Sequence, residues 1–192
     1  MSGLLKFGRR AALEKAVEEI RQPLYVTAYS WCQDAALADD ITHETVLKAL
    51  ERLNKLKNPD AFRPWIYKIL LNCFRDHWRS TRPSVEYDEN LGRDPGESVE
   101  DNRYRAELRR KLNRGLARLP LGQRQVLILV DLQGLSYAET GEVLEIPIGT
   151  VMSRLSRARH TMKGHLAGDM VAGETVNGRM KDASPGNVRR FK

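Results

Sequence analysis

The stretch Ile148-Gly-Thr-Val-Met-Ser-Arg-Leu-Ser-Arg-Ala-Arg159 carries the densest set of groups able to do recognition chemistry. Read at helical spacing, Thr150, Met152, Ser153, Arg154, Arg157 and Arg159 make a polar and basic side. Val151, Leu155 and Ala158 recur as an inward stripe. An arginine guanidinium is a planar fork that donates two hydrogen bonds at once to a guanine edge or a phosphate. That chemistry is binding. No glycine-rich phosphate loop or nucleophile motif occurs in the chain, so an enzyme is not expected. His43, His77, His160 and His165, with Cys32 and Cys73, are the conceivable metal ligands. None of them forms a compact ligand pattern, so neither a metal nor another cofactor is expected.

For residues 148–159 to read anything, other elements must present them. Ser136 followed by Glu139 is a capping box, which starts a short helix reaching about Leu144. Glu145-Ile146-Pro147 is a three-residue turn, and a second helix begins near Ile148. Helix, tight turn and helix make a helix-turn-helix, whose second helix enters the DNA major groove N-terminus first. The plainer alternative is a basic surface helix in a small bundle that binds nothing. Upstream, Leu108, Leu112, Leu116 and Leu119 mark an inward helix face stopped by Pro120, and Val126–Val130 is apolar all round, as a central helix would be.

The first half of the chain is also helical by pattern. Leu13, Val17, Ile20, Leu24, Ala28 and Trp31 recur at steps of three and four, and Pro23 should kink or break that face. A second helix is expected from about Ala36, with Asp39 and Asp40 in its first turn and Ile41, Val46, Leu50 and Leu53 inward. Residues 54–60 read as a loop, and a third helix runs from about Arg63 or Pro64 to Arg79 on Ile66, Ile69, Leu70, Cys73 and Phe74. Strand signals are nearly absent.

Charge divides the chain further. Its 192 residues carry a net charge of +7 with 41% apolar and 30% charged residues, which fits a folded chain with an anionic partner. The balance is +3 over residues 1–79, −5 over 80–102, +7 over 103–168 and +2 over 169–192. The acidic stretch holds Pro83 and Pro95-Gly96 and has linker composition. The expected architecture is all-α: two small helical domains at 10–79 and 103–168, a flexible acidic linker at 80–102 and a mobile tail at 169–192. Two cysteines suit a reducing cytoplasm. No run approaches 18 apolar residues and the N-terminus has no secretory pattern, so no membrane association is expected.

Leu119-Pro120, Gln123-Arg124, Gly134-Leu-Ser-Tyr-Ala-Glu139 and Pro147–Arg159 resemble region 4 of sigma-70-family transcription factors, most closely the short extracytoplasmic-function (ECF) group. Ala38–Ala49, with Asp39-Asp40-Ile41, and Trp65–Arg79 are similar to region 2 of the same group. The resemblance covers about residues 20–167 and implies a sigma factor that directs promoter recognition, DNA melting and transcription initiation.

It also implies partners and roles. Asp40, Glu44 and Leu47 would dock on the clamp helices of the largest subunit of core RNA polymerase, whose flap is a second contact. Trp65, Lys68, Asn72, Arg75, Trp78 and Arg79 would meet the minus-10 promoter DNA. There, aromatic faces stack on exposed bases and cations track phosphates, and Asn72 supplies both donor and acceptor for an extruded base. Thr150, Met152, Ser153, Arg154, Arg157 and Arg159 would meet the minus-35 element, and an anti-sigma factor is an expected partner. For Trp65, Tyr67 and Trp78 ordinary core packing is the alternative, and for Asp39 and Asp40 it is N-terminal capping. A sigma-like protein that only binds an anti-sigma factor, and a stand-alone helix-turn-helix regulator, are the competing functions.

The chain departs from the family pattern at three residues. Met152 stands where Lys or Arg is common, Gly141 where alanine is usual, and His43 where glutamine is frequent. Gly141 should cost about 0.5–1 kcal/mol of local helix stability.

Overall fold

The computed structural model describes the backbone of residues 2–56, 58–80 and 99–177, and side chains within 10–79 and 107–165. Among the described residues eight α-helices follow in order: α1 (Ser2–Glu19), α2 (Arg21–Cys32), α3 (Ala35–Arg52), α4 (Phe62–Ser80), α5 (Val99–Ala117), α6 (Leu121–Leu127), α7 (Tyr137–Leu144) and α8 (Ile148–Asn177). No strand occurs among the described residues. Most of residues 80–102 lie outside the described part, but α5 starts at Val99, inside the stretch expected as linker. Likewise α8 runs on to Asn177, nine residues into the expected tail.

The sequence signals explain the boundaries, with two corrections. The break between α1 and α2 falls at Ile20, which puts Pro23 in the first turn of α2, where its missing N–H costs nothing. Asp39 and Asp40 are not in the first turn of α3. Asp34 caps that helix, its carboxylate accepting from the Leu37 N–H at 2.9 Å, which leaves Asp39 and Asp40 exposed one turn later. The expected loop before α4 contains two single 3-10 turns, Leu53–Lys55 and Pro59–Ala61, with the Asn58 side chain accepting from the Asp60 N–H.

Helices α1 to α4 form one bundle and α5 to α8 another. In the first, Leu13, Val17, Ile20, Leu24, Ala28 and Trp31 are all buried, as are Ile66, Ile69, Leu70, Cys73 and Phe74. In the second, Leu116 and Leu119 are buried, but Leu108 and Leu112 stand 43% and 36% exposed, so only the C-terminal half of that expected stripe faces inward. α6 continues into a π-helical turn, Ile128–Leu132, whose Ile128 and Leu129 are buried as a central helix requires.

The halves are not separate bodies. Val126, Leu129, Leu135, Val143, Leu144, Val151 and Leu155 belong to the same continuous apolar core as the residues of α1 to α4. α7 lies against α4, and α5 and α6 lie against α2. The linker composition of residues 80–102 does not keep the modules apart: in this structure they pack together.

Candidate nucleic-acid interface

The helix-turn-helix is built as its signals require. Ser136 accepts from the Glu139 N–H at 3.2 Å, and Glu139 accepts from the Ser136 N–H at 2.8 Å, which closes the capping box. The Ser136 hydroxyl also donates to the Glu139 carboxylate at 2.6 Å, and that bond, followed by the one from the Ser136 N–H, holds the Glu139 carboxyl below its ordinary range. Gly134 precedes the box at φ +69°, a left-handed position that suits glycine. Gly141 has a local reason as well: a Cβ there would stand 3.0 Å from the Ile146 carbonyl oxygen, so its helix cost is offset by close passage of the turn. Val151, Leu155 and Ala158 are buried and fix α8 to the bundle.

The outer side of α8 holds the expected reading residues, in differing states. Met152 is 54% exposed and Ile148, one turn earlier, is 51% exposed, so the leading edge is apolar. Ser153 donates to the Thr150 carbonyl, and Arg157 donates to the Ser153 carbonyl at 3.1 Å and to its hydroxyl at 3.3 Å. Arg154 is half-buried and lies over Gly122, where a Cβ would meet its guanidinium. Arg159 is committed elsewhere: its fork binds both carboxylate oxygens of Asp131, at 2.9 and 2.5 Å.

On α4, Lys68, Asn72, Arg75 and Arg79 follow at steps of four, three and four and so share one face. Asn72 and Arg79 are exposed, and with Arg75, Lys48, Arg52 and Asp76 they line a cleft of about 330 Å³. Lys68 and Arg75 both bind Glu145, the first residue of the turn between α7 and α8, at 3.4 and 2.8 Å. Trp65 is half-buried against Phe62, which favours packing for that ring. Tyr67 is wholly buried. Trp78 stacks on Phe74 but is 41% exposed, so one face of its indole is open.

On α3, Asp40 and Leu47 are exposed, and Leu47 is a large apolar side chain left in solvent. Glu44 is held by Lys48 at 2.7 Å and by His77 at 2.9 Å, which seams α3 to α4. The Lys48 ammonium, with His77, keeps the Glu44 carboxyl below its ordinary range.

Three groups that bind the halves together were not singled out by spacing. Arg124 is buried and donates to the Ser30 and Trp31 carbonyls at the end of α2 and to the Ala117 and Leu119 carbonyls at the end of α5. A cation is well placed at two helix C-termini. Gln133 is buried too; its side-chain oxygen accepts from the Tyr67 hydroxyl at 2.7 Å, and its main-chain oxygen accepts from Arg63. Burial pushes the Tyr67 hydroxyl up to about 12. The only signal for Arg124 was its place in the Gln123-Arg124 motif; Gln133 and Arg63 carried none.

No cluster of three potential metal ligands occurs among the described residues, and no helix among them is long and apolar enough to cross a membrane. Cys32 and Cys73 are free thiols; burial raises both, Cys32 to about 11.

Two packed helical bundles, one ending in a helix-turn-helix and the other carrying a cationic, partly aromatic helix, define a class of DNA-reading helical protein. Residues 16–83 match the family model for Sigma-70 region 2, and residues 109–162 that for Sigma-70, region 4. The chain is 33% identical over 146 residues to the ECF RNA polymerase sigma factor EcfG of Rhodopseudomonas palustris, covering 72% of this chain and 76% of that one. It is 26% identical to SigW of Bacillus subtilis over 84% of this chain and 92% of that one. Among solved structures it resembles CnrH in complex with the cytosolic domain of CnrY, with TM-score 0.61 and 28% identity over 84% of this chain and 92% of that one. The fold is also that of RpoE in complex with the anti-sigma factor NepR from Bartonella quintana, with TM-score 0.65 and 21% identity over 80% of this chain and 95% of that one. The chain belongs to the sigma-70 family of RNA polymerase sigma factors, in its ECF group.

Proposed function

We propose that this protein is a promoter-recognition subunit: it binds core RNA polymerase in the cytoplasm, directs it to a promoter and holds the minus-10 element unpaired. The observation that carries this reading is one chain with region 2 followed by region 4, each presenting a nucleic-acid-competent face. Residues 10–79 are the polymerase-docking and minus-10 module and 103–168 the minus-35 module, whose first helix already begins at Val99 within the 80–102 linker stretch and whose last runs to Asn177 within the 169–192 tail stretch. The subunit is not itself an enzyme; synthesis belongs to the core.

Asp40, Glu44 and Leu47 form the polymerase contact, an acidic pair beside an exposed leucine, which suits a mixed polar and apolar interface. Lys68, Arg75 and Arg79 bind minus-10 phosphates, Asn72 reads a base edge, and Trp78 offers the open stacking face, with Trp65 supporting the helix from within. Thr150, Met152, Ser153, Arg154 and Arg157 face the minus-35 groove. Arg159 joins them only by leaving Asp131. The related RpoE and CnrH are each bound to a partner protein, NepR and CnrY, which supports an anti-sigma factor as this chain's regulator.

Run-off transcription with purified core, with and without this chain, is the direct test, and failure to initiate on any genomic promoter fragment would sink the reading. Asp40→Lys should weaken core binding about tenfold or more, since charge reversal at an interface replaces attraction with repulsion. Surface plasmon resonance against immobilised core measures it, and unchanged affinity removes the docking assignment.

A further inference from the structure

We propose that Glu145, in the turn of the helix-turn-helix, is a built-in occupant of the Lys68–Arg75 cation pair, so that the carboxylate and a nucleic-acid phosphate compete for the same two side chains. This deepens the proposed function and rests on it, because that reading gives Lys68 and Arg75 to promoter phosphates.

The geometry is specific. Arg75 donates to Glu145 at 2.8 Å and to the Leu144 carbonyl at 3.4 Å, while Lys68 approaches the other carboxylate oxygen at 3.4 Å. Locally, Glu145 is a poor choice for its position. It caps the C-terminus of α7 in the left-handed region, φ 59°, where glycine or asparagine is favoured. Its negative charge also faces the negative end of the α7 dipole. Its carboxylate is met there by two cations from the other half of the molecule.

The clasp is not needed to hold the halves together. Tyr67 and Arg63 on Gln133, Arg124 on the Ser30 and Trp31 carbonyls and the shared apolar core do that. All three clasp side chains remain one-third to one-half exposed, so the pairing is solvent-accessible and weak. A polyanion, gaining counterion release at each phosphate, can displace it. Free protein therefore keeps these two cations occupied, and a nucleic-acid phosphate must displace the Glu145 carboxylate to reach them.

Fluorescence anisotropy of the full-length chain with a mixed-sequence single-stranded 20-mer at low salt tests this. Glu145→Gln, an exposed isostere, should raise affinity about threefold or more. Glu142→Gln makes the same charge change on an exposed position of α7 and should leave affinity within a fraction of that. Adding Lys68→Ala and Arg75→Ala to Glu145→Gln should abolish the gain. An equal gain from Glu142→Gln, or none from Glu145→Gln (including no binding by either chain), overturns the proposal. If Glu145→Gln changes nothing but the lysine and arginine changes weaken binding, the clasp is wrong and the DNA assignment stands. If the gain survives their removal, the assignment of Lys68 and Arg75 to phosphates fails with it.

Discussion

Glu139 and Glu44 show how single carboxylates work in this protein. The Ser136 hydroxyl and N–H stabilise ionised Glu139, and the Lys48 ammonium with His77 stabilises ionised Glu44, so both folded-state values lie below the ordinary 4.5. A depressed carboxyl contributes stability that is fully present above its unfolded-state value and is lost as pH falls through the folded-state value. Stability should therefore decline from about pH 5 downwards. Glu139→Gln should flatten that decline, which urea midpoints at pH 7 and pH 3.5 would measure. An unchanged pH slope in the variant removes Glu139 from the account. Ser136→Ala acts on the same pair from the other side, and losing the cap should cost about 1 kcal/mol in equilibrium urea unfolding.

At the scale of elements, α4 and α8 each do two jobs, and packing decides which side chains are left for binding. On α8 the stripe Val151, Leu155 and Ala158 is fully used inward. Leu155→Ala should cost about 2–5 kcal/mol, as for other large-to-small changes in a packed core, and thermal melts would detect it. The Arg159–Asp131 pair is exposed and contributes little to stability. Asp131→Asn should leave unfolding unchanged while releasing Arg159. Affinity for a minus-35 duplex then rises if Arg159 is a DNA contact, and stays level in a gel shift if its only role is the pair with Asp131.

For the whole molecule, the decisive feature is a core that runs through both halves. Shared burial makes the halves mutually dependent, so calorimetry should give one cooperative unfolding transition; two well-separated transitions would contradict it. Arg124 is the central polar link. Arg124→Ala would strip hydrogen bonds from carbonyls at the ends of α2 and α5, at an expected cost of about 2–4 kcal/mol. Chemical denaturation of the full chain measures that loss.

Much of this protein was legible from local signals. Apolar spacing located the buried faces of α2, α4 and α8, and the Ser136–Glu139 box with Pro147 placed the helix-turn-helix boundaries, because caps and turns are set by residues within a few positions of each other. The basic face of 150–159 was visible for the same reason, whereas Lys68, Asn72, Arg75 and Arg79 stood out only through the resemblance to sigma region 2. The expected inward role of Leu108 and Leu112 did not hold, since a helix can extend past its bundle and periodicity does not say where the neighbour ends. Nor could spacing show that Glu145 meets Lys68 and Arg75, or that Arg124 reaches α2, because these partners lie about 70 to 94 positions apart in the chain. Sequence determined the helices and the chemistry each one offers. Only tertiary packing decided which of those groups face DNA and which face the other half of the molecule, because pairing across such distances depends on how the apolar faces close on one another.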